Sequence, residues 1–148
     1  ERPVDVACLG LVRACVNNAD GTSNLFLQGI VRVIVCGFDE SSVYPQLEIE
    51  PVVTPPEPSI KSEALAVKVK ELARERIGSP PVKPLLLQPN MPDVRQQLAN
   101  AISMIESPAE LADMVTYALI PDPARKQELL ETLSIEDRLD KLIHFLLE

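Results

Sequence analysis

The chain has 148 residues, 46% of them hydrophobic and only 3% aromatic, with no tryptophan and a formal net charge of -8; its pI is near 4.7. That length supports one sizeable core or two small modules. The acidic balance and scarce rings argue against a nucleic-acid partner, which needs concentrated cations and stacking platforms. No run of about eighteen apolar residues is present, so no membrane-spanning helix is expected.

Residues 4–16 form an apolar run with Gly10 at its middle, which predicts a strand bent or bulged at the glycine. Asn17-Asn18-Ala19-Asp20-Gly21 is a turn signal, because Asp-Gly favours the left-handed backbone of hairpin connections. A return strand runs from Ser23 to Gln28, then through Gly29 into Ile30 to Cys36, closed by Gly37. Both of its faces are largely apolar, Arg32 excepted, so one face is expected to meet a barrel interior and the other the helices. Leu47-Glu48-Ile49-Glu50 alternates as a strand with both glutamates in solvent. Short antiparallel strands without βαβ spacing fit a barrel or sandwich.

Cys8, Cys15 and Cys36 all lie in these strands. An odd number of cysteines in apolar strands predicts reduced, buried thiols and a cytoplasmic setting. Cys8 and Cys15 are seven apart, which places them on opposite faces of one strand, and no histidine is near them, so no metal site is expected.

Four prolines between Pro51 and Ser59 mark the boundary between a β-rich part, residues 1–58, and a helical part, residues 59–148. Ile60 to Ile77 reads as a helix ended by Gly78, with Leu65, Ala66, Val69, Leu72, Ala73 and Ile77 as its buried stripe and its lysines and arginines in solvent. Residues 78–92 are irregular and carry five prolines. Pro81-Val82-Lys83-Pro84 has a minimal PxxP spacing, a weak signal in a globular chain. Leu85, Leu86 and Leu87 within that segment either anchor it to the core or form part of a contact surface. A further helix starts at Asn90, with Val94, Leu98, Ala101, Ile102 and Ile105 buried.

Three short helices close the chain, each with its own start signal. Ser107-Pro108-Ala109-Glu110 is a capping box with proline at the first helical position, and Leu111, Met114, Val115, Ala118 and Leu119 follow on one face. Asp122-Pro123 repeats the signal. Ser134 opens the last helix, whose stripe is Ile135, Leu139, Leu142, Ile143 and Leu146. Short amphipathic helices with tight links imply a bundle.

Chemistry is conspicuous by its absence. There is no glycine-rich phosphate loop, H-E-x-x-H, C-x-x-C or nucleophile elbow. The one histidine, His144, sits beside a buried stripe and reads as a boundary residue. The carboxylates of the helical part interleave with leucine stripes, so most of them are expected to face water. No enzyme activity, cofactor or metal is expected of this chain.

The runs Ile105 to Asp113, Lys126 to Leu133 and Glu136 to Leu142, in that order and spacing, resemble the N-terminal, substrate-binding domain of the ATP-dependent Lon protease family, which also occurs in stand-alone proteins. Gly10 with its apolar run, Asp20-Gly21, Leu25 to Gly29, and Val43-Tyr44-Pro45 through Glu50 extend the resemblance to nearly the whole chain. Two departures stand out. The family's opening strands do not appear in this sequence, which is expected either to begin late or to come from a shortened member, and Gly37-Phe38-Asp39 lacks the basic neighbour usual after that glycine. The resemblance implies an α+β fold, a PUA-like antiparallel pseudo-barrel followed by a helical bundle.

It further implies non-catalytic recognition of unfolded, partly folded or degron-bearing polypeptides, with ATPase and protease segments in other domains and self-association through a full-length parent. Shallow apolar contact in a groove ringed by acidic side chains would suit that role, with Phe26, Phe38, Tyr44 and Leu85 to Leu87 as candidate contributors, although core packing is the simpler expectation for each of them taken singly. The alternative is a structural or regulatory module that binds one folded partner. RNA binding, known for PUA-like folds elsewhere, is disfavoured by the acidic balance.

Overall fold

Apolar runs that flank Asp20-Gly21 fold back on each other as a long hairpin. The computed structural model describes residues 4–41, 43–53, 59–79 and 92–148, and the chain divides into two compact units, Glu1–Thr54 and Pro55–Glu148. In the first unit β1 (Val6–Asn17), β2 (Ser23–Asp39) and β3 (Gln46–Pro51) form an antiparallel sheet in the order β1-β2-β3. This sheet is open. The resemblance implied a pseudo-barrel, but three strands are too few to curl round and pair first with last.

The hairpin turn is fixed locally. Asn18 N donates to Thr22 O at 2.8 Å and Gly21 N to Asn18 O at 3.2 Å. Gly21 has φ +85°, a left-handed conformation that glycine adopts without steric cost. The Asp20 carboxylate accepts from the Thr22 hydroxyl at 2.7 Å and the Thr22 amide at 3.0 Å, which holds its pKa below the ordinary 3.8.

β2 runs through Gly29 as expected and continues past Gly37, the expected end, to Asp39, because both glycines sit at bulges. The β1–β2 register shifts between Leu9 and Gly10 and between Val12 and Ala14, and the β2–β3 register between Val35 and Gly37. At the first shift Gly10 faces Gly29, where an added Cβ would lie 3.2 Å from Cys8 Sγ.

Within the sheet Val6 and Val33 are buried, while Leu25, Leu27 and Ile30 are exposed. The three cysteines are free and exposed, contrary to the expected burial. A strand residue is buried only where another layer covers its face, and periodicity within the strand does not encode that layer. Titration of the native chain with an aromatic disulfide reagent is expected to release three equivalents at the rate of the denatured chain. Slow release from any thiol would contradict this placement.

The second unit contains α1 (Ile60–Gly78), α2 (Pro92–Met104), α3 (Pro108–Leu119), α4 (Pro123–Glu131) and α5 (Ile135–Leu147). The predicted start signals operate as caps: Ser107 Oγ accepts from Glu110 N, Asp122 Oδ1 from Ala124 N, and Ser134 Oγ from Asp137 N. Ser59 does the same for α1 through Ser62 N at 3.0 Å. α1 is the central element and packs on α5, α3 and α2. Leu111, Val115, Leu129, Leu139, Leu142 and Val69 are fully buried in the core. Two predicted core positions are corrected: Met114 and Ala101 are exposed. Ala112 is buried beside Leu111, and Ala99 packs against the core.

Each helix C-terminus is held by a cation from another helix. Arg95 of α2 donates to Ile77 O of α1 at 3.4 Å, and Lys70 of α1 donates to Ser103 O of α2 at 3.2 Å. Lys126 of α4 reaches Tyr117 O of α3 at 3.1 Å, and Arg76 of α1 reaches Leu146 O of α5 at 2.7 Å. Arg138 of α5 spans the end of α4, with Nε on Thr132 O at 2.9 Å and Nη2 on Leu133 O at 3.1 Å. The last carbonyls of a helix lack intrahelical partners and carry the negative end of its dipole, so a cation is the matching donor. Basic residues read as a solvated face of α1 are therefore partly structural.

The N-termini of α1 and α5 are joined by polar contacts. Ser59 Oγ donates to Glu136 Oε1 at 2.7 Å, and Lys61 Nζ lies 2.9 Å from Glu136 Oε2. The Ser59 hydroxyl, and then Lys61, hold Glu136 below its ordinary 4.5, while Glu136 raises Lys61 above 10.5. A depressed carboxylate stabilises the fold above its unfolded pKa, and that contribution is lost as pH falls through the folded value. A raised lysine contributes below 10.5, and its contribution is lost as pH rises through its folded value. Glu136→Gln is thus expected to melt below the wild type at neutral pH. The two melting curves should converge in acid, once Glu136 is protonated; a gap independent of pH would contradict the linkage.

Candidate functional site

The first unit carries a concentration of exposed apolar side chains. Phe26 is 60% exposed on β2 and pairs with Ala14 next to the β1–β2 turn. Phe38, 43% exposed, lies at the other end of β2 and pairs with Leu47 of β3. Tyr44 is 80% exposed in the β2–β3 link. Two of the sequence candidates, Phe38 and Tyr44, are thus brought to one end of the sheet, and Phe26 is left at the opposite end. Leu85, Leu86 and Leu87 lie outside the described residues.

Sequence reasoning passed over Leu25, Leu27 and Ile30 on β2 and Val12 and Val16 on β1, all exposed. The signal was present: strands apolar on both faces imply a cover on both faces, and none exists within a three-stranded sheet. Asp39 lies beside Phe38, and its carboxylate accepts from Ser41 N at 2.8 Å. Hydrogen bonding by Ser41 keeps Asp39 ionised below its ordinary 3.8. Glu48 and Glu50 of β3 add further negative charge. Cationic or neutral apolar segments suit such a surface better than acidic ones.

In the helical unit an open polar groove of about 400 Å³ lies between α1 and α2, lined by Arg74, Arg95, Gln96 and Asn100 among others. His144 is exposed on α5, with Nδ1 3.3 Å from Asp140 O of the preceding turn. Among the described residues no group of three or more His, Cys, Asp or Glu side chains is placed to hold a metal ion. No helix among them is long and apolar enough to cross a membrane.

The model of the ATP-dependent protease La (LON) substrate-binding domain matches residues 3–148. The chain belongs to this family. It is 27% identical over 141 residues to the Lon protease of Dictyoglomus thermophilum, covering 95% of this chain and 16% of that protein. It is 31% identical over 135 residues to the Lon protease of Paraburkholderia phytofirmans, covering 90% and 15%. The N-terminal domain of the Mycobacterium avium complex Lon protease superimposes over 100% of the chain and 73% of its own length, with a TM-score of 0.80 at 19% identity, which is a likeness of fold. As a Lon substrate-binding domain the chain is non-catalytic, and it spans only about a sixth of the Dictyoglomus enzyme's length.

Proposed function

We propose that this Lon substrate-binding domain recognises unfolded or degron-bearing polypeptides through the exposed apolar surface of its sheet. The observation that carries the reading is the set of large apolar side chains left in solvent on β1 and β2, beyond the scattered single residues normal on a monomer. Phe26, Phe38 and Tyr44 are its aromatic contact points, and Leu85 to Leu87 are further candidates from the sequence. Such shallow contact is weak per copy and gains strength when several copies are held together, as in an oligomeric parent that carries ATPase and protease domains. A stand-alone relative would act as an adaptor. Free, exposed thiols fit a reducing compartment, which supports a cytoplasmic setting.

The test is binding of the chain to a permanently unfolded protein and to its folded counterpart, by fluorescence anisotropy. Preference for the unfolded form is expected. Phe26→Ser with Tyr44→Ser should weaken it by roughly tenfold, about 0.7 kcal/mol for each lost aromatic contact. Equal affinity for both forms, or an unchanged affinity in the double variant, would overturn the reading.

A further inference from the structure

Among the described residues Arg74 is the one lysine or arginine with neither an ion pair nor a hydrogen bond. Every other described cation has a partner. In a chain of net charge -8 an unanswered guanidinium is the exception. It stands in the wall of the 400 Å³ groove between α1 and α2, where no carboxylate of the described residues contributes to the lining.

The remaining walls extend the pattern. Arg95 spends one donor on Ile77 O at 3.4 Å, and a guanidinium has five. Gln96 Nε2 donates to Asn100 Oδ1 at 2.9 Å, and the Ser103 hydroxyl donates to Asn100 O at 2.7 Å. These bonds fix the α2 side of the groove while Asn100 keeps its own amide donors. Ile77, nearly inaccessible, and Ala99 give the groove an apolar component. The result is a depression with two planar cations, amide donors and an apolar patch.

We propose that this groove binds a carboxylate of a polypeptide, either the chain terminus or an acidic side chain. Arg74 and Arg95 take the carboxylate, Asn100 takes an adjacent main-chain carbonyl, and Ala99 meets the apolar part of the residue. Guanidinium forks match the planar carboxylate, and charge-assisted bonds of this kind are short and strong. The volume fits one or two residues. The groove rests on the reading of the domain as a polypeptide receptor and gives that receptor a second, chemically distinct point of contact, opposite in sign to the acidic sheet.

Four versions of one labelled, unstructured apolar peptide test it: unmodified with a free terminus and two glutamates, amidated at the terminus, with both glutamates changed to glutamine, and with both changes. The unmodified peptide is expected to bind about tenfold more tightly than the doubly neutralised one. Whichever single change removes most of that difference identifies the source of the carboxylate. Arg74→Gln, exposed and unpartnered, is expected to bring the difference within twofold while leaving both thermal stability and affinity for the neutral peptide unchanged; Arg74→Lys should restore part of it. Equal affinity of the wild type for charged and neutral peptides, or a full difference in Arg74→Gln, would overturn the groove and leave the sheet reading standing. Binding of none of the four would overturn polypeptide recognition itself, and the groove with it.

Discussion

Leu139→Ala is expected to destabilise the helical unit by about 4 kcal/mol, read as a lower midpoint in urea with an unchanged slope. Leu139 is fully buried on α5, which packs against α1 and α3. Truncation removes three carbons from the core and leaves a cavity that helices pinned at both ends cannot easily collapse. Domains of this kind are stable by only about 5–15 kcal/mol, so the variant should lie close to its unfolding threshold at physiological temperature. Leu139→Met keeps most of the volume and should lose less than about 1.5 kcal/mol. Equal effects of alanine and methionine would mean that packing at this position is not the cause.

The second large effect belongs to a charge. Arg138 is 4% exposed, and its guanidinium joins Thr132 O, Leu133 O and, at 3.7 Å, Asp113 Oδ1. Arg138→Ala strips the link between α4 and α5 of its donors and should destabilise the unit by about 3 kcal/mol, the scale of a charged hydrogen-bond partner removed from a buried site. Arg138→Lys should recover less than half, since an ammonium cannot span two carbonyls as the planar fork does. Asp113→Asn should matter little, below about 1 kcal/mol, because that carboxylate is half exposed to water. A lysine variant as stable as the wild type would show that charge alone suffices.

Helix starts were legible because a cap is a local device. Ser107, Asp122 and Ser134 bond to amides two or three residues ahead, and the pattern is complete within the sequence that forms it. Helix ends were not. The donor for Leu146 O is seventy residues away at Arg76, on a helix whose basic residues looked like solvent-facing charge. Met114 and Ala101 misled for a different reason: both lie at the edge of a helical stripe, where a small rotation of the helix decides burial. The cysteines and the aromatic residues of β2 depended on what covers a sheet, which strand alternation does not specify. Arg74 and Arg95 share a groove although they stand on separate helices, and neither position carries a local motif.

The crossed cations also set how the bundle opens. Terminal turns are ordinarily the first amides to exchange with solvent, because they can fray without disturbing anything else. Here unwinding the end of α5 must release Arg76 in the last turn of α1, and unwinding α2 must release Lys70 on the same helix. α1 in turn is held at its own end by Arg95. Small local openings are thereby tied to one another, so deuterium should enter the last turns of all five helices at rates close to that of the buried core. A helical unit tied in this way offers few loose helix ends from which unfolding can begin, so it should give way as a whole or not at all.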